Sequence, residues 1–334
     1  MASDISVIVP VYDEEQTLTE FYACLSKVID SQAETFEIIF VNDGSKDQTE
    51  TMLRQLRQRD QRVKLIHFSR NFGHQMAITA GINLAKGRAC IVIDGDLQDP
   101  PEVIPDMLQL WRSGFDVVYG MRKERHGENS FKILTASLFY KILSRLARIE
   151  IPQNVGDFRL LDRKVIDALK SIPERNRFVR GLVSWVGFKQ TYLSYERNAR
   201  HAGATKYPFW KMLKFAIDGI TSFSDIPLKL ATWMGLALSF LSVLLVLWVI
   251  WAKLFTDRTV LGWASIMIAI LLIGSVQLFT VGILGEYIGR IFDEAKQRPL
   301  YLIRETSGFE LATPAWLPIS IVIALTTTTT RRIR

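Results

Sequence analysis

The sequence predicts an α/β domain with a largely parallel sheet, tethered to a membrane by two transmembrane helices. Short apolar runs alternate with helical stretches through the N-terminal part. Two long uncharged runs follow, and acidic residues gather just past several of the apolar runs. Composition narrows the field. Of 334 residues, 49% are hydrophobic and 22% charged, which is neither a disordered nor a collagen-like balance. Two cysteines, Cys24 and Cys90, form no disulfide scaffold or zinc pattern and suit a reducing compartment. The net charge of +7 includes Arg331, Arg332 and Arg334 in the last four residues; the remaining +4 is too weak a bias to imply nucleic acid.

The apolar runs at 5–10, 36–42, 63–68, 89–94 and 115–119 are rich in Val, Ile and Phe and read as buried strands. Helical stretches lie near 14–30, 48–60, 74–86 and 101–113, the last opening on a Pro-Pro pair where a helix should begin. Such alternation with short links gives a mostly parallel sheet covered on both faces, which binds ligands at the carboxyl ends of its strands. No internal repeat is visible.

The run 230–252 holds 23 residues without a charge and the run 259–285 holds 27. At 1.5 Å per residue each exceeds a hydrocarbon core of about 30 Å. The alternative, two buried helices of a soluble domain, requires a helix to stay uncharged for unusually long. Trp233, Trp248, Trp251 and Trp263 stand toward the run ends, as interfacial anchors do. Only 253–258 separates the runs, so they form a hairpin with both flanks on one side. Before the first run, Arg197, Arg200, Lys206, Lys211, Lys214 and Lys229 outnumber Glu196, Asp218 and Asp225, which places that side in the cytoplasm. No signal peptide is expected ahead of Asp4.

Three strand ends carry acidic residues: Tyr12-Asp13-Glu14-Glu15, Asn42-Asp43-Gly44-Ser45 and Asp94-Gly95-Asp96-Leu97-Gln98-Asp99. Neither a G-x-G-x-x-G nor a G-x-x-x-x-G-K-[ST] motif is present, so the usual glycine cradles for phosphate are missing. A carboxylate rim repels a bare diphosphate, and a divalent cation between them resolves the conflict. Asp94 and Asp96 are expected to point the same way along an extended segment with Gln98 next in phase, an oxygen set suited to Mg²⁺ or Mn²⁺. The plain alternative for a D-x-D is an Asx turn. Asp43 either caps the following helix or accepts hydrogen bonds from a nucleoside's base or ribose.

With Val7-Ile8-Val9-Pro10-Val11-Tyr12-Asp13-Glu14, Val41-Asn42-Asp43-Gly44-Ser45 and Asp94-Gly95-Asp96-Leu97-Gln98-Asp99-Pro100-Pro101, the sequence resembles the family 2 glycosyltransferases of GT-A, Rossmann-like fold. Within them it is similar to the polyprenyl-phosphate glycosyltransferases, dolichyl-phosphate mannose synthases and, nearer, bactoprenol glucosyltransferases. The similarity runs on through Ser69-Arg70-Asn71-Phe72-Gly73-His74-Gln75, Gly156-Asp157-Phe158-Arg159-Leu160, Arg200-His201-Ala202-Gly203-Ala204-Thr205-Lys206-Tyr207 and Gly285-Glu286-Tyr287-Ile288-Gly289-Arg290, covering roughly 5–305. The threonines of 326–330 and the arginines after them match no part of the pattern.

The resemblance implies inverting transfer of a sugar from a nucleotide sugar to a polyprenyl phosphate. It makes Asp157 and Asp96 catalytic and puts the nucleotide at Pro10, Tyr12, Glu14, Asp43 and Asp94, with the metal at Asp94, Asp96 and Gln98. A phosphate monoester is already largely ionised near neutral pH, so Asp157 is weighted toward orienting the acceptor or stabilising cationic character at the sugar's C1. The competing reading of Asp157 is a loop residue paired with Arg159. Arg122, Arg125, Arg200, His201 and Lys206 are the cations for acceptor or diphosphate, unless the last three are simply a basic run drawn to anionic lipid. His74 reads as a hydrogen bonder at a helix start; His67 and His126 carry no signal. Stripes at Phe209, Trp210, Leu213, Ile217, Ile220 and Phe223, and at Leu134, Leu138, Ile142 and Leu146, suit interfacial helices or packing on the sheet.

The resulting expectation is a catalytic domain over 1–195, a basic loop and amphipathic helix over 196–229, spans at 230–252 and 259–285, a cytoplasmic segment over 286–308, and a tail, 309–334, disordered or foreign to the fold. The expected reaction moves glucose from UDP-glucose to undecaprenyl phosphate in the inner membrane. A mannose, N-acetylhexosamine or aminoarabinose donor and a non-catalytic membrane scaffold are the alternatives. Gly235, Gly262, Gly274, Gly282 and Gly285 permit close helix packing, so a homo-oligomer is expected, a tetramer among the options.

Overall fold

A computed structural model of the chain describes residues 3–122, 155–175, 177–196, 226–255 and 262–309. The five expected strands all form: β1 (Ile5–Val11), β2 (Phe36–Asn42), β3 (Val63–Phe68), β4 (Ala89–Val92) and β5 (Val117–Arg122). Every residue of β1, β2 and β4 is buried, as a strand covered on both faces requires. Between them run α1 (Leu18–Ile29), α2 (Thr49–Arg59), α3 (His74–Leu84) and α4 (Ile104–Arg112), the last preceded by a single 3₁₀ turn that starts at Pro101. The first helix starts later than expected because Thr17 is committed elsewhere: its hydroxyl donates to the Gly95 carbonyl at 3.1 Å, tying the start of α1 to the turn after β4.

Three further strands complete an eight-stranded sheet: β6 (Val155–Asp162), β7 (Gln190–Tyr195) and β8 (Ile303–Ser307), in the order β7-β5-β6-β4-β1-β2-β3-β8. The centre, β4-β1-β2-β3, is parallel; β6 and β8 run antiparallel to their neighbours. The chain moves outward from β1 to β3 and then returns to β4 on the other side of β1. The switch point therefore lies at the carboxyl ends of β1 and β4, where such sheets bind ligands. Two apolar layers sandwich the sheet, with α1 and α4 contributing to one, and α3, α5 (Arg163–Ser171) and α6 (Val179–Trp185) to the other.

Two long helices follow, α7 (Ile226–Phe255) and α8 (Trp263–Lys296). Trp233, Phe240 and Leu278 are 69%, 68% and 75% exposed, a degree of exposure that rules out the buried soluble helix as their explanation. Both helices overrun the uncharged stretches, and α8 continues beyond Gly285 to Lys296, where Gln297 adopts a left-handed conformation (φ 48°) and turns the chain back. Strand β8 then pairs with β3. The Tyr301 ring stacks on Phe68 at 5.1 Å, its hydroxyl accepts from Asn83 Nδ2 at 3.0 Å, and Arg54 grips Glu305 through two bonds of 2.9 and 2.6 Å. Phe309 packs against the same layer with Lys64 Nζ 5.4 Å from its ring centroid, so the packed chain reaches one residue into the segment expected as tail. The sheet thus takes its last strand from beyond the membrane hairpin rather than ending at 195.

One buried carboxylate belongs to the scaffold. Glu37 on β2 is 1% exposed and accepts from Ser6 Oγ, Lys64 Nζ and, at 2.9 Å, the Lys86 amide. Burial works to raise its pKa, but Lys64 and the other donors outweigh it and hold it below the ordinary 4.5. Its contribution to stability is therefore present above pH 4.5 and lost as the pH falls through the folded value. Glu37→Gln should cost about 1–3 kcal/mol at neutral pH. Thermal melting should show the wild type losing that advantage as the medium is acidified below the ordinary carboxylate value.

Candidate active site

The segment after β4 is a turn and not the extended ladder expected. Leu97 has φ 61°, and the Gln98 amide donates to Asp96 Oδ1 at 3.1 Å, an Asx turn of the plain kind considered for a D-x-D. The alternation needed to line up Asp94, Asp96 and Gln98 is absent, and the Gln98 side chain is buried. Asp96 is half-buried. Asp94 differs from both: its Oδ1 is buried, has no hydrogen bond, and lies 3.5 Å from His74 Nε2. Among the described residues no group of three or more His, Cys, Asp or Glu side chains is arranged to hold a metal ion.

Asp157 lies on β6, not in a loop, and its side chain is 3% exposed. Arg180 on α6 donates to both of its oxygens, Nε to Oδ1 at 2.9 Å and Nη2 to Oδ2 at 2.8 Å. Arg159, two residues along the same strand and itself 1% exposed, donates to Oδ1 at 3.1 Å, as the pairing alternative foresaw. His74 Nε2 stands 3.2 Å from Oδ2. Burial alone would raise the Asp157 pKa, but Arg180, His74 and Arg159 together hold it well below 3.8. At His74 burial works downward and is outweighed by Asp94 and Asp157, which push it up to about 9. Burial, reinforced by Asp157, Asp99 and Asp96, raises Asp94 against the pull of His74. Neighbouring carboxylates are thus driven apart in acidity: Asp157 is countered by three cations, while Asp94 has only a share of His74, 3.5 Å away.

His74 is in place because of Asp43, which is 3% exposed. Its two oxygens accept from the amides of Phe72 and Gly73 at 2.6 and 2.9 Å, pinning the loop that opens α3. Gly44 (φ 72°) brings the two loops together, since a Cβ there would lie 2.7 Å from the Arg70 carbonyl carbon. The capping alternative for Asp43 is therefore wrong: the Thr49 amide at the start of α2 donates instead to Asp47 Oδ1 at 3.0 Å. Pro10 is buried in β1, Tyr12 is half-buried just after it, and the Glu14 amide donates to Thr49 Oγ1 at 2.9 Å. These residues join the β1 and β2 ends into one rim beside Asp94.

Arg122 also reaches this rim. Its Nε donates to the Tyr195 hydroxyl at 3.3 Å and its Nη2 lies 3.5 Å from Asp99 Oδ1, which also accepts from Tyr195. It lies over Gly156, where a Cβ would meet Nη2 at 2.5 Å. Arg125, Arg200, His201, Lys206 and both amphipathic stripes lie outside the described residues. Residue patterns alone missed the roles of His74, Arg180, Asp99 and Tyr195. His74 stands inside a quoted motif that pointed to it, whereas Arg180 is one arginine in a short helix with nothing around it in sequence to mark it.

A switch-point crevice rimmed by carboxylates, with one buried carboxylate already saturated by cations and another that only shares His74, defines an α/β protein suited to an anionic ligand accompanied by a cation. Residues 6–170 match the Glycosyl transferase family 2 model, and residues 226–291 match the GtrB C-terminal hairpin. The chain is 53% identical over 305 residues to a Bacillus subtilis protein described as an uncharacterized glycosyltransferase, YkcC, with 91% of this chain and 94% of that one covered. It is 42% identical over 302 residues to the bactoprenol glucosyl transferase of Shigella phage SfII, covering 90% and 98%. A solved structure of Mycobacterium tuberculosis glucosyl-3-phosphoglycerate synthase with Mn²⁺ and UDP is also similar, at 17% identity and a TM-score of 0.46, covering 66% of this chain and 78% of that one. The chain belongs to glycosyltransferase family 2, and its fold is of the GT-A class.

The two catalytic candidates should respond differently to truncation. Asp157→Ala strands the buried Arg159 guanidinium and should cost about 3–5 kcal/mol. Asp96→Ala removes a turn hydrogen bond and should cost about 1 kcal/mol or less. Melting curves of the two variants in detergent check the contrast.

Proposed function

We propose that the protein transfers glucose from UDP-glucose to undecaprenyl phosphate, inverting the anomeric centre, with its catalytic domain on the cytoplasmic face of the inner membrane. The observation that carries this is the 42% identity to a bactoprenol glucosyl transferase, which covers 98% of that protein and therefore includes both the sheet and the membrane hairpin. The domain limits proposed are 1–195 for the catalytic unit, 196–229 for the interfacial segment and 230–252 and 259–285 for the spans, with 286–308 returning to the cytoplasm and contributing β8. Among the described residues, a Cβ built on Gly235, Gly274, Gly282 or Gly285 meets nothing within 4 Å outside its own stretch of helix, which supports a homo-oligomer packed on this face.

A divalent cation, Mg²⁺ or Mn²⁺, fits the residues present. Asp94 offers a buried oxygen with no hydrogen bond, and Asp96 a second carboxylate one residue beyond Gly95. Gln98, buried beyond the Asx turn, is not aligned with these two carboxylates. Mg²⁺ commonly takes only one or two protein carboxylates and fills its remaining positions with water and substrate phosphates, so a cage of three acidic side chains is not required. When bound, the ion would neutralise charge on the departing diphosphate.

The protein's own groups account for the rest. An oxygen of the acceptor phosphate bonds to the sugar's C1 as the bond from C1 to the UDP oxygen breaks, and UDP leaves with that electron pair. The phosphate monoester is largely doubly ionised near neutral pH, so no side chain need remove a proton. Asp157, held ionised by Arg180, Arg159 and His74, is a poor base; with its charge already countered by those three cations, its part is to keep His74 and Arg180 oriented at the site. Pro10, Tyr12, Glu14 and Asp43 line or build the nucleotide rim. Arg122, Arg125, Arg200, His201 and Lys206 are proposed to meet the acceptor phosphate or the diphosphate.

Incubating the membrane-embedded protein with undecaprenyl phosphate and a panel of radiolabelled nucleotide sugars should carry label into the organic phase with UDP-glucose. EDTA should abolish transfer and Mg²⁺ or Mn²⁺ restore it. Extraction with another donor alone would reassign the sugar, and no counts with any donor would defeat the reading. Asp96→Ala should lower transfer by at least about a hundredfold with the protein still folded; full activity in that variant would remove Asp96 from the catalytic and metal-binding set.

A further inference from the structure

At the domain end of α8 a cavity of about 210 Å³ opens between the helix, the residues after α5 and the start of α3. Arg175, Lys296 and Arg298 line it against one carboxylate, Asp293, with Met76 and Leu300 forming an apolar wall. The cavity is built across two elements: the Arg175 amide donates to Glu294 Oε1 at 2.7 Å, locking the chain after α5 to the last turn of α8. Lys296 Nζ sits 3.8 Å from the centroid of Phe292. Among the described residues, neither the Arg175 nor the Arg298 guanidinium makes a hydrogen bond or ion pair, while Arg54, Arg62, Arg112, Arg122, Arg159 and Arg180 all do. Two unpaired guanidiniums and an ammonium facing one space form a receptor for an oxyanion, and a guanidinium fork fits phosphate geometry in particular.

The position of the cavity indicates where the phosphate comes from. Charge resumes along α8 at Glu286 and Arg290, yet Ile288, Ile291 and Phe292 are 63%, 66% and 57% exposed, so an apolar stripe continues to within one turn of Lys296. From Arg290 to Lys296 the helix rises only about 9 Å. That is close to the depth of one headgroup layer, about 5–8 Å outside the hydrocarbon. We propose that this cavity holds the phosphate of an anionic membrane lipid, with the lipid's apolar part lying along the stripe on α8, and so sets how the catalytic sheet sits on the bilayer. The proposal rests on the membrane reading of α7 and α8, and not on the identity of the donor or acceptor.

The test uses the full-length protein in detergent, titrated in one arm with phosphatidylglycerol and in the other with inorganic phosphate, with binding read by native mass spectrometry. The double variant Arg175→Gln/Arg298→Gln should bind phosphatidylglycerol about tenfold or more weakly than wild type. Arg59→Gln, at the far end of α2, should bind as wild type does. Weakening in the lipid arm alone supports a headgroup site. Weakening in both arms supports a phosphate site that free phosphate also enters. Equal binding by wild type and double variant in both arms, with unchanged melting, overturns the proposal. Should the double variant misfold, Arg298→Gln alone, on an exposed residue beyond the helix, carries the same comparison with a smaller expected loss.

Discussion

The buried carboxylate of Asp157 organises the catalytic side of the sheet. It is closed off from water and yet ionised, which is tenable only because Arg159, Arg180 and His74 converge on it from a strand and two helices. Each of these cations is held by a different part of the chain: Arg159 by the strand that carries Asp157, Arg180 by α6, and His74 by the loop that Asp43 pins. The requirement to neutralise one charge therefore sets the mutual position of β6, α3 and α6. It also leaves Asp94, which shares His74 Nε2 with Asp157, as the carboxylate with the smaller countercharge and a buried oxygen free of hydrogen bonds, at the strand switch point.

The hairpin of long apolar helices is integrated with that sheet and not appended to it. Because β8 pairs with β3 after the chain has left α8, the hairpin is inserted between the seventh and eighth strands of one sheet. The bidentate Arg54–Glu305 contact, the Arg304–Glu50 pair and the stacked Tyr301 close an edge that would otherwise be open. The cavity at Arg175 and Arg298 lies at the same junction between α8 and the sheet.

Most of the fold was legible in the chain. Strands β1 to β5 are short β-branched runs with no competing helical period, and each was found within a few residues of its expected place. The spans were legible from uncharged length. Strand β8, Ile-Arg-Glu-Thr-Ser, was not, because an edge strand with polar partners has no apolar run to announce it. Within the site, Asp43, Asp94 and Asp157 were marked by their motifs, but the roles given to them changed. Asp43 supports a loop and does not cap a helix, and the D-x-D closes an Asx turn with Leu97 at positive φ and not an extended pair.

By itself the sequence determined the fold class, the two long apolar helices and the carboxylates at the strand ends. These follow from periodicity, length and local turn chemistry, all of which act between residues near one another in the chain. Only the tertiary structure decided which charges face each other: that Asp157 is saturated by Arg159, Arg180 and His74, that Asp94 shares only His74, and that β8 seals the sheet behind the helical hairpin. Coulomb energy and desolvation depend on distance and burial in space, and residues such as His74 and Arg180, more than a hundred positions apart, acquire their meaning only when the fold brings them to one carboxylate.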